Sequence, residues 1–344
     1  MNIVEFDKEL SLFQLTREGI TTPYNYIPNS KNLWENLNKD DFTVVVLNNP
    51  FLHSEESIFE IKFDGSDERG GFLFPIELLE SEEGEGKQLL SYMFVAYNML
   101  LVSLPDNCEA TGMLSDCYKD AFILIIHNAT KPDFNFQDYI IALAKQGFYE
   151  YQGEIKGKYP SLDYFKELPK TLRLDKREVD NSSCGYVVDL LKNRLCSASD
   201  FITRFVLLYQ VIEQYISEIH RTKLDEAIEK YKQEELNKND FSEELKNISR
   251  ESNQIEVLMK PFSDEAVCNN YRQMAMGLFN DVGYKPKNES LPTLLYALRN
   301  QVFHSFDIFS EHEDGLNQVI FSFEEVILML LSKQTIKTLP ANTE

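Results

Sequence analysis

From residue 201 onward the apolar side chains of this sequence recur every three or four positions: Phe201, Phe205, Leu208, Ile212, Tyr215 and Ile219. That spacing lines one side of a helix and leaves the rest polar, so the segment is predicted to fold as one long amphipathic helix. Ser197 or Ser199 stands where a cap is needed, and the pattern runs to about Leu224. A stripe of this length has to be covered by other helices, and the flanking sequence supplies them. Tyr186 to Leu195 is short and amphipathic, Asn269 to Phe279 has helical spacing, and Val319 to Leu331 puts Ile320, Phe323, Ile327 and Leu330 on one side. Between Asp225 and Arg250 charge dominates, with only Ile228, Tyr231, Leu236, Phe241 and Leu245 apolar, which predicts exposed helices with a turn at Asn237 to Asp240.

The first half follows a different rule. Phe42 to Leu47, Ile58 to Phe63, Gly71 to Ile76 and Ala121 to His127 are short, β-branched or aromatic, and bounded by turn residues, which predicts strands. The stretch from Asp64 to Gly71 connects two of them as a loop or hairpin. Phe136 to Gln146 has helical spacing, Phe148 to Ile155 returns to strand, and Leu89 to Leu104 is an apolar run too short and too polar to cross a bilayer. Lys156 to Cys184 is broken by Gly157, Pro160, Pro169 and Asn181-Ser182-Ser183 and reads as a linker or surface excursion. The expected fold class is thus an α+β N-terminal domain followed by an all-α helical bundle. The 344 residues suffice for two cores, with residues 1–183 as a sensing or regulatory domain ending in a linker, and 184–344 as the helical domain.

Charge narrows the function. The net charge is −22, which argues against indiscriminate binding to nucleic acid, because phosphate binding rests on clustered Lys and Arg. Split at Cys184, the first part has 17 Lys and Arg against 31 Asp and Glu (−14), and the second 17 against 25 (−8). Any nucleic-acid chemistry must therefore be local. Five cysteines (108, 117, 184, 196 and 268), odd in number and without a CxxC pair, support neither a disulfide framework nor a zinc site and are expected to be reduced. Met1 to Leu10 already contains Glu5, Asp7, Lys8 and Glu9, so no leader segment is read there and the expectation is a cytoplasmic protein with no membrane association.

One short pattern carries chemistry. Arg299, Asn300, Gln301, Val302, Phe303 and His304 read R-N-x-x-x-H within a helix that Ser290 is placed to cap and whose first turn tolerates Pro292. On a wheel of about 100° per residue, Leu291, Leu294, Leu295, Leu298 and Val302 form the core arc. Asn300 and His304 fall together on the opposite side, and Arg299 lies at the border. Phe303 also points away from the core; a purely solvated face has no use for it, so an interface is suggested. Two copies meeting about a two-fold axis would gather two Arg299 and two His304 around one cleft. The bland alternative is that Arg299 pairs with an acid or caps a carbonyl while His304 is a satisfied core histidine.

This arrangement resembles the HEPN superfamily, whose ribonuclease members carry Arg, a polar residue and His at this spacing. The block from about 185 to 335, with its long Phe201 to His220 helix and late motif helix, looks most like the ApeA-like branch. The resemblance implies a dimeric, metal-independent endoribonuclease with no cofactor, with Arg299, Asn300 and His304 catalytic, Phe303 on the dimer face, and Glu213 matching an acidic position that braces the arginine, the alternative for Glu213 being a glutamate at the solvent edge. It implies RNA, tRNA included, as substrate, 2′,3′-cyclic phosphate ends as product, and an antiphage or toxin role in which a phage trigger or antitoxin partner acts through the N-terminal domain. The rival reading is a catalytically inactive HEPN scaffold that dimerises and binds a protein or nucleotide. Other features read as structural: His220-Arg221 at a helix end, Glu311 to Asp314 as a solvated acidic loop, Glu82 to Lys87 as an exposed turn, and His53 and His127 as lone histidines.

Overall fold

The computed structural model describes residues 3–7, 12–17, 20–25, 38–52, 57–80, 87–104, 113–153, 168–177, 185–198 and 200–333. His53, the acidic turn from Glu82 to Gly86, Cys108, Cys184 and Ser199 lie outside the described residues. The chain separates into two units, Met1–Asn181 with Leu191–Ser197, and Ser182–Leu190 with Ala198–Glu344. A β-rich N-terminal region with two sheets precedes a region of several helices, the layout the periodicities predict.

The first unit is layered. Strands β1 (Ile3–Asp7), β2 (Leu12–Arg17) and β3 (Ile20–Asn25) form an antiparallel three-stranded meander. Helix α1 (Lys87–Val102) lies between this meander and a six-stranded sheet, touching β1 and β2 on one side and β4 (Phe42–Asn48) and β7 (Ala121–His127) on the other. The aromatic rings Phe6, Phe13, Phe94 and Tyr97 fill the first of these contacts. The large sheet runs β8 (Tyr149–Glu150), β4, β7, β6 (Arg69–Pro75), β5 (Phe59–Phe63), β9 (Thr171–Leu174). Its far face is covered by α2 (Phe136–Ala144), with Tyr139 against Phe63.

These layers explain the composition of β7. Ala-Phe-Ile-Leu-Ile-Ile does not alternate because the strand is central and buried on both faces. Ile123 and Ile125 join the α1 core, while Phe122 packs on Phe148 from the other side. Gly71 permits the close pairing of β6 with β7, since a Cβ there would lie 2.0 Å from the Ile125 carbonyl oxygen. His127 is structural, its ring meeting Phe42 edge-on at 4.8 Å and its Nδ1 accepting from the Ala129 amide.

Three expectations are corrected here. The stretch expected to be linker contains β9, which pairs in parallel with β5. Leu172 and Leu174 are buried and Arg173 is exposed, but four residues next to Pro169 are too short a pattern to stand out. The strand expected from Phe148 to Ile155 stops at Glu150 within the described residues. Cys117 is disulfide-bonded, to a partner outside the described residues, whereas reduced thiols were expected; an odd count and the lack of CxxC do not exclude a single bond. Cys196 and Cys268 are buried and form no disulfide.

The second unit is helical: α3 (Gly185–Asp189), α4 (Phe201–Lys232), α5 (Lys238–Ile248), α6 (Glu251–Met259), α7 (Ala266–Asp281), α8 (Leu291–His304) and α9 (Glu313–Lys333). The long helix α4 is about 48 Å at 1.5 Å per residue. It is capped by Asp200 rather than a serine, the Asp200 carboxylate accepting from the Thr203 amide at 2.8 Å. It also continues past Leu224 to Lys232, where a Glu229–Lys232 pair and the Tyr231 ring stacked on Phe241 of α5 hold the polar tip. The predicted stripe from Phe201 to Tyr215 is buried, and it packs on α9 through Phe205 against Phe323. Helix α9 is long and apolar enough to cross a membrane, yet 72 % of its apolar window is buried by neighbouring segments. It also carries Glu324, which meets Arg204 of α4 in a fully buried two-pronged ion pair, Nε to Oε2 at 2.5 Å and Nη2 to Oε1 at 2.6 Å.

Candidate functional site

Helix α8 presents the face the wheel predicts. Leu291, Leu294, Leu295, Leu298 and Val302 are buried, Arg299 and Asn300 are half-buried, and Phe303 and His304 are exposed, Phe303 by 46 %. Ser290 occupies the N-cap position, but its hydroxyl bonds to Thr293 Oγ1 instead of capping a backbone amide. Helix α6 packs beside α8 in the opposite direction, so its first residue, Glu251, faces Arg299 near the end of α8. The start of α6 is fixed by its own side chains: Gln254 donates to the Ile248 carbonyl at 2.7 Å and Asn253 to the Asn247 carbonyl at 3.1 Å. These bonds satisfy carbonyls at the end of α5 that have no helical partner.

Arg299 is positioned but not saturated. Its Nε lies 3.9 Å from Glu251 Oε1, an ion pair beyond hydrogen-bond range. Nη1 donates to Asn300 Oδ1 at 3.1 Å, and the guanidinium lies 5.2 Å from the centre of the Phe303 ring. Of the five N–H donors of a guanidinium, one is used among the described residues; the Nε is enclosed and makes no hydrogen bond there. Glu251 is held from below by Tyr209 of α4, whose buried hydroxyl donates to the same Oε1 at 2.8 Å. Burial pushes the Tyr209 phenol well above its ordinary range, and the neighbouring Glu251 charge adds to that. Tyr209 therefore stays a proton donor to Glu251 at any ordinary pH.

These groups line a cleft of about 470 Å³ shared by Glu213, Ser217 and His220 of α4, Glu251 and Gln254 of α6, and Arg299 of α8. Of the residues singled out in the sequence, Glu213 and Arg299 meet here. Asn300 opens instead onto a second cleft, of about 660 Å³, on the other side of α8 against α6. His304 lines neither of these clefts; it is the last residue of α8 and faces solvent. Within one chain, then, the imidazole that shares a cleft with Arg299 is His220, which the sequence assigned only to a helix end. Glu251 and Tyr209 were also missed. Glu251 had one available signal, an acid in the first turn of a helix, but that position is common and favourable without any site. The acidic run Glu311 to Asp314 is solvated, and among the described residues no group of three or more His, Cys, Asp or Glu is disposed to hold a metal ion.

Chemically, the first cleft offers a fixed guanidinium with open donors for an oxyanion, flanked by two carboxylates that oppose loosely bound anions. Compared with protein families, curated proteins and solved structures, the chain finds no match.

Proposed function

We propose that this chain is an endoribonuclease of the HEPN type, acting in the cytoplasm as a homodimer joined through α8, in which Arg299, Asn300 and His304 cleave RNA without a metal. The observation that carries the reading is the state of Arg299: aimed by Glu251, Asn300 and Phe303, yet with most of its donors open, on the same helix as an exposed His304. An imidazole can both take and give a proton near neutrality. His304 of one copy takes the proton of a ribose 2′-OH, and the 2′-oxygen attacks the adjacent phosphorus. The bond from phosphorus to the 5′-oxygen breaks, and that oxygen leaves with a proton from His304 of the second copy. The products are a 2′,3′-cyclic phosphate and a 5′-hydroxyl. Arg299 holds the non-bridging oxygens, where charge concentrates. Phe303, exposed and stacked under Arg299, supplies apolar area for the two-fold contact. On this reading the substrate is tRNA or another RNA, and the N-terminal unit restrains the nuclease until a phage trigger or antitoxin partner acts on it.

The test is incubation of the purified chain with total tRNA in chelator. Fragments with cyclic phosphate ends are expected, with Arg299→Ala and His304→Ala each slowing cleavage by about 10²- to 10⁴-fold. Phe303→Glu should yield an inactive monomer by light scattering. Wild-type rates in His304→Ala would falsify the mechanism. A second reading is favoured by the carboxylates of the first cleft: Glu213 and Glu251 serve to neutralise Arg299, and the bundle is an inactive scaffold. A stable dimer that cuts no RNA and is unaffected by Arg299→Ala would establish that reading.

A further inference from the structure

The proposed reaction draws on the second cleft only through Asn300 and gives the rest of its lining no part. At about 660 Å³ it has the size of a small-ligand site. Along α8 it is lined by Thr293, Tyr296 and Asn300, one helical stripe, so it runs about 10 Å from the start of the helix to the residue next to Arg299. Lys260 and Lys287 line the end by the start of α8. Neither lysine is ion-paired among the described residues, although the chain carries 56 acidic side chains to pair with 34 basic ones. Apart from Pro292, which has no N–H, the first-turn amides of α8 have no side-chain cap, so they add donors at that end. Tyr284 and Tyr296 line the same cleft; Tyr284 is braced by Phe279 at 5.1 Å, and Tyr296 makes no ring contact of its own among the described residues. Glu256 is the one carboxylate of the lining; it repels phosphate locally and can accept from the amino group of a base.

Cations at one end, an open aromatic ring in the middle and an amide at the other end match a nucleotide: phosphate, base and linkage onward to Arg299. A duplex cannot offer this, since its bases are stacked and paired, whereas unpaired RNA is held by aromatic stacking and local phosphate contacts. We infer that the second cleft binds one unpaired nucleotide of the RNA strand beside the bond to be cut, which makes the substrate single-stranded or looped RNA. The inference rests on the nuclease reading for its strand, and on the cleft alone for its nucleotide.

The test uses fluorescence anisotropy of the full chain, in a His304→Ala background to prevent cleavage, with a labelled single-stranded RNA and the same sequence as a duplex. Binding to the single strand should be at least about tenfold tighter than to the duplex. Lys260→Ala with Lys287→Ala should weaken it about tenfold and lower the slope of log affinity against log salt by about 0.7 for each phosphate left without its lysine. Tyr296→Leu should weaken it about tenfold with the salt dependence unchanged. Equal affinity for duplex, or single-strand binding indifferent to all three substitutions, overturns the inference. So does AMP binding in this cleft that does not compete with the RNA, which would make it a free-nucleotide site; inorganic phosphate serves as the control for the anion end alone. The two readings fail separately. Cleavage that needs Arg299 but ignores the cleft variants removes this inference and leaves the nuclease. Binding that needs the cleft in a chain that never cuts RNA removes the nuclease and leaves the cleft.

Discussion

At the scale of residues, the chain Tyr209, Glu251, Arg299 is the most informative contact in the helical unit. The tyrosine hydroxyl fixes a carboxylate, and the carboxylate sets where the guanidinium points. Tyr209→Phe removes one hydrogen bond from a site where everything else still packs. It should lower stability by about 0.5–1.5 kcal/mol, read from urea unfolding, and, on the nuclease reading, lower kcat several-fold with its pH profile unchanged, since it loosens the guanidinium that holds the transition-state charge without touching the imidazole. A variant that loses stability but cleaves with unaltered kcat would show that the hydrogen bond is structural only. The exposed and buried positions of α8 were legible in advance, because the wheel uses only local spacing. Glu251 and Tyr209 were not, because nothing local in the sequence distinguishes a first-turn glutamate or a core tyrosine that happens to face a distant arginine.

Secondary-structure elements show the same division. The four strands Phe42–Asn48, Phe59–Phe63, Arg69–Pro75 and Ala121–His127 and the helices α2, α4, α8 and α9 follow from period and composition. Strand β9 does not; a parallel edge strand of four residues is stabilised by the neighbour it meets, not by its own pattern. The Arg204–Glu324 pair likewise could not be foreseen, since each residue sits on a face that reads as ordinary amphipathic helix. With both side chains enclosed, removing one partner strands the other. Glu324→Gln or Arg204→Met should cost about 3–5 kcal/mol, whereas Arg204→Met combined with Glu324→Leu should come back near wild type. Chemical denaturation of the singles and the double completes the cycle. A double variant as unstable as the sum of the singles would mean that the pair is not one interacting unit.

For the whole molecule, three buried groups of the helical unit resist ionisation. Burial pushes the Cys268 thiol up to about 11 from its ordinary 9.0, and burial raises the Tyr209 and Tyr271 phenols as well. Each group has a folded pKa above its unfolded value, so its contribution is complete below the ordinary value and is lost as pH rises through the folded one. The helical signal should therefore melt at progressively lower temperature from about pH 9 upward, followed by circular dichroism, and Cys268→Ala should flatten the part between about 9 and 11. A melting temperature constant from pH 8 to pH 11 would contradict this. Taken alone, the sequence determined where the β-rich region gives way to helices, which face of α8 is core, and that Phe303 and His304 point outward. Those properties depend on spacing along the chain and on the preference of apolar side chains for burial. Only the tertiary structure decided that Arg299 meets Glu251, Glu213 and His220 in one cleft while Asn300 opens onto another. Which faces of α4, α6 and α8 approach one another depends on packing the whole bundle, and no local pattern encodes that.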